Sequence, residues 1–424
     1  MTLLNLPTEL ISRIISFLDT PSPLEITIRQ KPKAPQSLKQ LPSASHNANN
    51  ASSVSSSASR PSLKHLSLTS RFFRTLTIPF IFKHSIVHPL QVTNFQHPRR
   101  AYPIQDTDLL TKRKQLTFLQ NHDLSSRILT MTAPLESHFT HFHPAWWSRL
   151  LDALSCLTTF TIIAPPEVLD ALAGIHTWTT DAWAFNMPYQ IIRLEHSPSG
   201  SSPEAQSPMN LVDNDDDTLP TLLTARKWHT LTLNEGSSLQ AYTTYEFFLR
   251  RTPSLLTALH FNNSTIADSL FRSLRSFSFI AIFPFYNHVD EILKSIRKMT
   301  SLESLSIKLC PDPDSTVFRD EIELNNGHMD VNDPWNECET SWMLIAHTVI
   351  FLTVQGHLET FHMADVQIEA VRESLEKAIV SRLQEWWSYE GDGSGKWYKR
   401  PQSIDPTKVA ALGTADGAPA APSI

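Results

Sequence analysis

Three histidines in the run HFTHFHP have the type and spacing of metal ligands. His138, His141 and His143 lie three and two residues apart, and imidazole nitrogens are common ligands of zinc, copper and iron. No cysteine pair accompanies them, and two phenylalanines alternate with them. We therefore expect a polar edge beside aromatic residues, and we predict neither a bound metal nor a cofactor.

Two further runs approach known ligand-binding loops without completing them. The run GDGSGK at 391–396 is one residue shorter than a phosphate-binding loop, and Trp397 stands where that loop has Ser or Thr. The acidic run 312–323 has oxygen-bearing residues at positions 1, 3, 5, 9 and 12 of a calcium loop, but Val317 takes the sixth position, where the turn requires glycine. Since no catalytic constellation is complete, we predict that the protein is not an enzyme.

The composition argues against several classes of partner. The 424 residues carry a net charge of −6, with 10 glycines beside 29 prolines, so we expect no nucleic acid and no glycine-rich nucleotide loop. No apolar run approaches the roughly 18 residues of a membrane span, so we expect no membrane partner. Cys156, Cys310 and Cys338 are far apart in sequence, which favours reduced thiols and a cytoplasmic or nuclear location.

The most specific element pattern is LPTELISRIISFL, over residues 6–18. Pro7 is tolerated in a first helical turn, and Glu9 favours the positive end of the helix dipole. The apolar side chains that follow are Leu10, Ile11, Ile14, Ile15, Phe17 and Leu18. They cover an arc of about 160°, wider than the roughly 100° stripe of a helix that faces one core. We expect one flank of the helix to pack inside and the other against a partner.

A second run, LKHLSLTSRFFRTL at 63–76, carries Ser70, Arg71 and Phe73. Together the two runs resemble the F-box, over residues 4–18 and 62–80. The insertion of about 44 residues between them departs from the family, although loop closure grows only logarithmically with length. The resemblance implies a Skp-family adaptor. It assigns adaptor contacts to Leu6, Pro7, Glu9, Leu10, Ile14, Ile15, Leu18, Leu66, Ser70 and Phe73. The alternative is two amphipathic helices of an ordinary core.

Seven short runs have apolar residues at positions 1, 4 and 6. They begin at Leu157, Tyr189, Trp228, Leu256, Leu274, Leu302 and Leu358. The pattern resembles the leucine-rich repeat, in which alternate strand residues point into a shared core. Only the run at 302–310 completes all nine positions of the repeat. The alternative is a generic α+β domain in which these runs are coincidental.

These patterns predict an α/β protein, with a small all-helical F-box followed by an irregular leucine-rich-repeat-like α/β solenoid. Residues 1–80 are assigned to the F-box, with a disordered insertion at about 19–62, because nine Ser, four Ala and three Asn fill 43–62. Residues 81–130 are assigned to a linker and 131–390 to the repeats, with loops at about 197–220 and 311–336. Residues 391–424 are expected to form a flexible tail.

The resemblance also implies a function. An F-box followed by leucine-rich repeats is itself a family architecture, and it implies the substrate-recognition subunit of a cullin-RING ubiquitin ligase. The F-box would bind the adaptor, and through it cullin, while the repeats would hold a target protein that the sequence does not identify. The alternative is an adaptor-bound scaffold without ubiquitin-ligase output.

Overall fold

The fold is that of a computed structural model. The structure describes residues 6–18, 28–29, 32, 61–86, 128–135, 150–152, 154–173, 189–196, 221–244, 249, 251–262, 265–324, 329–391 and 393–401. No helix among these residues combines the length and the apolar character needed to cross a lipid bilayer.

Three helices form an N-terminal unit, the helical layer: α1 (Thr8–Ser16), α2 (Pro61–Thr69) and α3 (Arg71–Phe82). Pro7 directly precedes α1, at a position where the helix needs no amide donor. The Pro7 carbonyl accepts the first helical hydrogen bonds. The layer has a small core of its own, centred on Ile11, Ile15 and Leu63.

A ten-stranded sheet makes up the centre of the remaining chain. Its strands are β1 (His84–Ile86), β2 (Thr130–Pro134), β3 (Thr159–Ala164), β4 (Gln190–Glu195), β5 (Thr230–Ser237), β6 (Ser276–Ile282), β7 (Ser304–Lys308), β8 (Thr360–Met363), β9 (Trp387–Tyr389) and β10 (Lys396–Lys399). In space they run from β1 to β8 in order, followed by β10 and then β9. Strands β1–β3 and β5–β8 are parallel, whereas β4 is antiparallel to both neighbours and β10 is antiparallel to β8 and β9.

Helices cover one side of this sheet. They are α4 (Pro166–Ala173), α5 (Leu255–Asn262), α6 (Thr265–Ser273), α7 (Tyr286–Arg297), α8 (Val317–Leu324), α9 (Asp333–Gln355) and α10 (Glu369–Leu383). The period-2 alternation of the strands decides which side is covered. On β6, Phe277 and Phe279 lie in the main core together with Ile292 of α7, while Ser276 and Ser278 point to the other side and stay half-buried.

The α/β class agrees with the sequence prediction, but the antiparallel strands β4, β9 and β10 differ from the all-parallel strands of a regular repeat array. Six of the seven apolar runs overlap strands β3 to β8. The run at Leu256 lies instead in helix α5, where the Ser254 carbonyl accepts the amide of Ala258. Strand β4 runs antiparallel to β3 and β5. The sequence does not reveal this direction, because an alternating apolar pattern is the same in either strand direction.

The structure also changes the predicted boundaries. The 81–130 linker was too long, because α3 extends to Phe82 and the stretches 84–86 and 130–134 are strands of the sheet. The 311–336 loop contains α8 and the start of α9. The 391–424 tail contains β10, since Trp397 buries its ring in the main core. Residues 197–220 and 402–424 lie outside the described residues.

Candidate functional site

The inner side of α1 holds the helical layer together. Ile11 and Ile15 are each 1% exposed and pack with Leu63 of α2. Leu66 of α2 and Leu76 of α3 lie partly buried against the same cluster. Because these residues seal one flank of α1, its orientation is fixed.

The outer side of α1 is apolar and uncovered. Leu10, Ile14 and Leu18 follow one another at intervals of four residues and are 47%, 43% and 37% exposed. Phe17 beside them is 79% exposed. We call these four residues the α1 stripe. Large apolar side chains grouped on one helix face mark a surface that another molecule covers.

The start of α3 adds exposed apolar side chains to the same layer. The Ser70 hydroxyl accepts the amide of Phe73 at 3.2 Å and caps the helix. Phe73 is thereby turned toward the small core, and the ring of Phe72 meets it edge-on with centroids 5.5 Å apart. Phe72 and Leu68 are themselves exposed.

The predicted adaptor-binding residues therefore fall into two groups. The exposed group consists of Pro7, Glu9, Leu10, Ile14, Leu18 and Ser70, and the inner group of Leu6, Ile15, Leu66 and Phe73. Within the inner group only Ile15 is buried, whereas Leu6, Leu66 and Phe73 are half-buried and keep part of their surface accessible. Sequence reasoning left out Phe17, Leu68 and Phe72, of which Phe17 lies within the predicted apolar arc.

A second candidate surface is the side of the sheet opposite the main core, which we call the open face. Short polar side chains in register cross its parallel part in two rows. The rows are Thr230, Ser276, Ser304 and Thr360, and Thr232, Ser278, Ser306 and His362. All eight residues are half-buried. Hydroxyl groups both donate and accept, so these rows can hydrogen-bond a polar or main-chain ligand.

Ser306 and His362 form the pair on the open face whose side chains are best suited to acid–base chemistry. Their Oγ and Nδ1 atoms lie 3.1 Å apart across β7 and β8. Burial lowers the pKa of His362, and the nearby cations Lys396 and Arg29 add to this effect. A backbone hydrogen bond at Ser394 acts in the opposite direction and raises this pKa. Among the described residues, no third side chain hydrogen-bonds the imidazole as in a catalytic triad.

A third row lies beside the two hydroxyl rows and has a different character. It runs through Ile163, Ile191, Asn234, Ile280 and Lys308, on strands β3 to β7. All five residues are buried. Part of the cover comes from Ile28, in the segment that the sequence predicted to be disordered. The insertion at 19–62 thus places at least one side chain against the sheet, and most of it lies outside the described residues.

Buried polar groups tie the sheet to its helices near the carboxyl ends of the parallel strands. The Asp365 carboxylate accepts the amides of Leu309 at 3.0 Å and Cys310 at 2.9 Å, and the indole N–H of Trp342 at 3.3 Å. Burial outweighs these hydrogen bonds and raises the pKa of Asp365 to about 6. Because the carboxylate joins β7, β8 and α9 and is fully enclosed, its role is structural.

The motifs considered for metal or phosphate have other positions in the fold. His138, His141 and His143 lie outside the described residues. The GDGSGK run joins the antiparallel strands β9 and β10, with Gly391, Gly393 and Gly395 in the left-handed region. Val317 is the first residue of α8, so the run 312–323 does not form a calcium loop. Within the described ranges, no group of three or more acidic, His or Cys residues is arranged to hold a metal.

Comparison with known proteins gives no relative: no family model, no curated protein and no solved structure matches this chain.

Proposed function

We propose that this protein is the substrate-recognition subunit of a cullin-RING ubiquitin ligase. The helical layer acts as an F-box that binds a Skp-family adaptor, and through it cullin, while the sheet domain binds a target protein. One observation carries the proposal. Helix α1 buries Ile11 and Ile15 and leaves Leu10, Ile14, Phe17 and Leu18 exposed.

The α1 stripe is a hydrophobic surface that the described part of the chain leaves exposed. Full burial of an aliphatic or aromatic side chain gains about 1.5–3 kcal/mol. Leu10 and Ile14 of α1, with Phe17 and Leu18 directly after its last residue, form a row of apolar anchors of the kind by which an amphipathic helix fits a hydrophobic groove. The match of the same helix to the F-box pattern makes the adaptor the preferred partner.

The sheet domain supports the second half of the proposal. Between β5 and β8 the strands are parallel and in register, and helices α7, α9 and α10 lie in the core on one side. Parallel strands in register with helices on one side support a leucine-rich-repeat-like solenoid, a class of proteins that binds partners on an extended concave surface. We assign target binding to the open face.

We place the complex in the cytoplasm or nucleus. Cys156, Cys310 and Cys338 are free thiols, and such thiols persist in reducing compartments. The alternative function is an adaptor-bound scaffold without ubiquitin output. Co-purification of cullin with the adaptor distinguishes the two functions.

The decisive experiment is calorimetric titration of the full chain with a purified Skp-family adaptor. The double variant Leu10→Asp, Ile14→Asp places two carboxylates in the interface, so we expect affinity to fall more than about 100-fold. The matched control is Leu249→Asp, Val331→Asp, which changes two exposed aliphatic residues outside the helical layer. The control should bind within about twofold of the wild type.

Unchanged adaptor binding by the stripe variant would remove the F-box assignment. Equal loss in both double variants would point to a general effect of added charge. Absence of any adaptor binding by the wild type would also overturn the proposal.

A further inference from the structure

Ile28 occupies an apolar pocket on the open face, far from its neighbours in sequence. Its side chain is 5% exposed and packs with Ile163, Tyr189 and Ile191. These three residues belong to β3 and β4 or directly precede β4, on the side opposite the main core. An aliphatic side chain from the insertion thus fills a site that the sheet itself builds.

Two buried side chains of the sheet bind the main chain at the same place. Asn234 Nδ2 donates to the Ile28 carbonyl at 2.7 Å, and Lys308 Nζ donates to the Arg29 carbonyl at 3.3 Å. Asn234 is itself held, since its Oδ1 accepts the amide of Gly236 at 2.9 Å. Lys308 is held by Asp312 Oδ1 at 2.5 Å. The two donors are therefore positioned by the sheet domain and not by the segment they bind.

Pro32 marks the far end of the contact. Gly236 has φ +82°, and a Cβ built there would lie 3.6 Å from Pro32 Cδ. This is an ordinary van der Waals distance, so Pro32 packs beside β5 and the positive φ, not the proline, favours glycine here. The sheet domain thus contacts three features of the segment: the aliphatic side chain of Ile28, the consecutive carbonyls of Ile28 and Arg29, and Pro32, four residues after Ile28.

We propose that this third row is a peptide-binding site and that the chain's own Ile28–Pro32 contact is its resident ligand. The external ligand is a segment of a target protein with an aliphatic residue four positions before a proline. This inference rests on the proposed function, since it places the target on the open face. The resident segment blocks the site until a target peptide displaces it.

The covalent link to the rest of the chain sets how strongly the resident segment competes with a free peptide. A covalently linked segment acts at an effective concentration on the order of millimolar. A free peptide with a dissociation constant of about 10–100 μM must compete with it, so its apparent affinity for the intact chain is weakened on the order of 10- to 100-fold.

The test uses a fluorescent peptide with the sequence of residues 24–34 and fluorescence anisotropy on full-length protein. In Ile28→Asp protein the resident side chain no longer enters the pocket, so we expect the peptide to bind about 10- to 100-fold more tightly than to the wild type. Val331→Asp, at an exposed aliphatic position, should bind like the wild type. Peptides carrying the Ile28→Asp or the Pro32→Ala change should bind Ile28→Asp protein at least about tenfold more weakly, because each loses one recognised group.

Ile28→Ala protein provides a second background, because it removes the apolar contact without adding a charge. Failure of the peptide to bind either variant, with melting transitions unchanged, overturns the proposal, and so does equal affinity for wild type and variants. The assay contains no adaptor. It can therefore fail while the adaptor titration succeeds, or succeed while that titration fails.

Discussion

The helical layer and the sheet domain expose opposite kinds of surface. The layer has three fully buried apolar residues at its centre and leaves the α1 stripe uncovered. The sheet domain encloses a core drawn from nine of its ten strands and from helices α4–α7, α9 and α10, and on its open face it shows mainly hydroxyls. A small module cannot bury all its apolar side chains by itself. In the proposed function, the adaptor covers the exposed apolar side chains of the layer and the target binds the polar open face.

The largest effect should come from placing a carboxylate on the buried flank of α1. Ile15→Asp places a carboxylate in a core of three residues, which that core cannot tolerate. We expect α1 to lose its hydrogen-exchange protection completely and adaptor binding to vanish. Ile14→Asp, on the exposed flank, should keep the protection and lose only binding. If Ile15→Asp also melts the sheet, the two regions form one cooperative unit and the contrast between them fails.

Asp365→Ala should produce the next largest effect, confined to the sheet domain. It leaves the amides of Leu309 and Cys310 and the Trp342 indole without their acceptor. We expect a loss of about 3–5 kcal/mol in the free energy of unfolding, measured with urea. Asp320→Ala, at an exposed carboxylate that accepts from Thr316, should cost less than about 1 kcal/mol. Equal losses would mean that the buried carboxylate has no special role.

The pH dependence of stability provides a second test of the buried Asp365 carboxylate. The pKa of Asp365 is raised from 3.8 to about 6 in the folded protein, so the folded state binds the proton more tightly than the unfolded chain. This contribution is fully present below pH 4 and is lost as pH rises through 6, to a limit of about 3 kcal/mol. Wild type and Asp365→Asn should therefore diverge in unfolding free energy between pH 4 and 6. Parallel curves of unfolding free energy against pH would contradict the raised pKa of Asp365 in the folded protein.

The smallest predicted effect lies at the end of the sheet. A Cβ at Gly395 would lie 2.2 Å from the Met363 carbonyl oxygen, whereas one at Gly391 meets nothing within 4 Å. Both glycines have positive φ, so conformational strain is common to the two alanine variants. We expect Gly395→Ala to be less stable than Gly391→Ala by at least about 1–2 kcal/mol in thermal melts. Equal melts would show that the hairpin moves freely away from β8.

The spacing of apolar residues in the sequence predicts which side chains of the amphipathic elements are buried. Val371, Leu375, Ile379 and Leu383 are buried along α10 as their spacing predicts, and Leu305 and Ile307 point into the main core from β7. The division of α1 into inner and outer flanks is also confirmed by the burial of Ile11 and Ile15. In each case the period of the apolar residues matches the period of the element.

The remaining features depend on contacts between distant residues. The run at Leu256 satisfies helix and strand spacing over too few residues to choose between them. Trp397 pairs with Tyr389 across the turn at Gly391, and the glycine-rich run between them is a hairpin signal as well as a fragment of a phosphate loop. Ile28 is one aliphatic residue that packs on Ile163, Tyr189 and Ile191, and its hydrogen-bond partner Asn234 is 206 residues away, so no local period reveals these contacts.

Helix α3 belongs to both regions, and this has a mechanical consequence. Phe73, Leu76, Phe80 and Ile81 pack on the helical layer, while Ile78 and Phe82 pack on the main core. The helix then passes directly into β1. The helical layer and the sheet domain are therefore joined by one helix that packs on both cores and has Pro79 in its interior. In the proposed complex, this helix sets the distance and angle between the adaptor on the stripe and the target on the open face, so lengthening the chain between Lys83 and His84 should change that geometry without altering either surface.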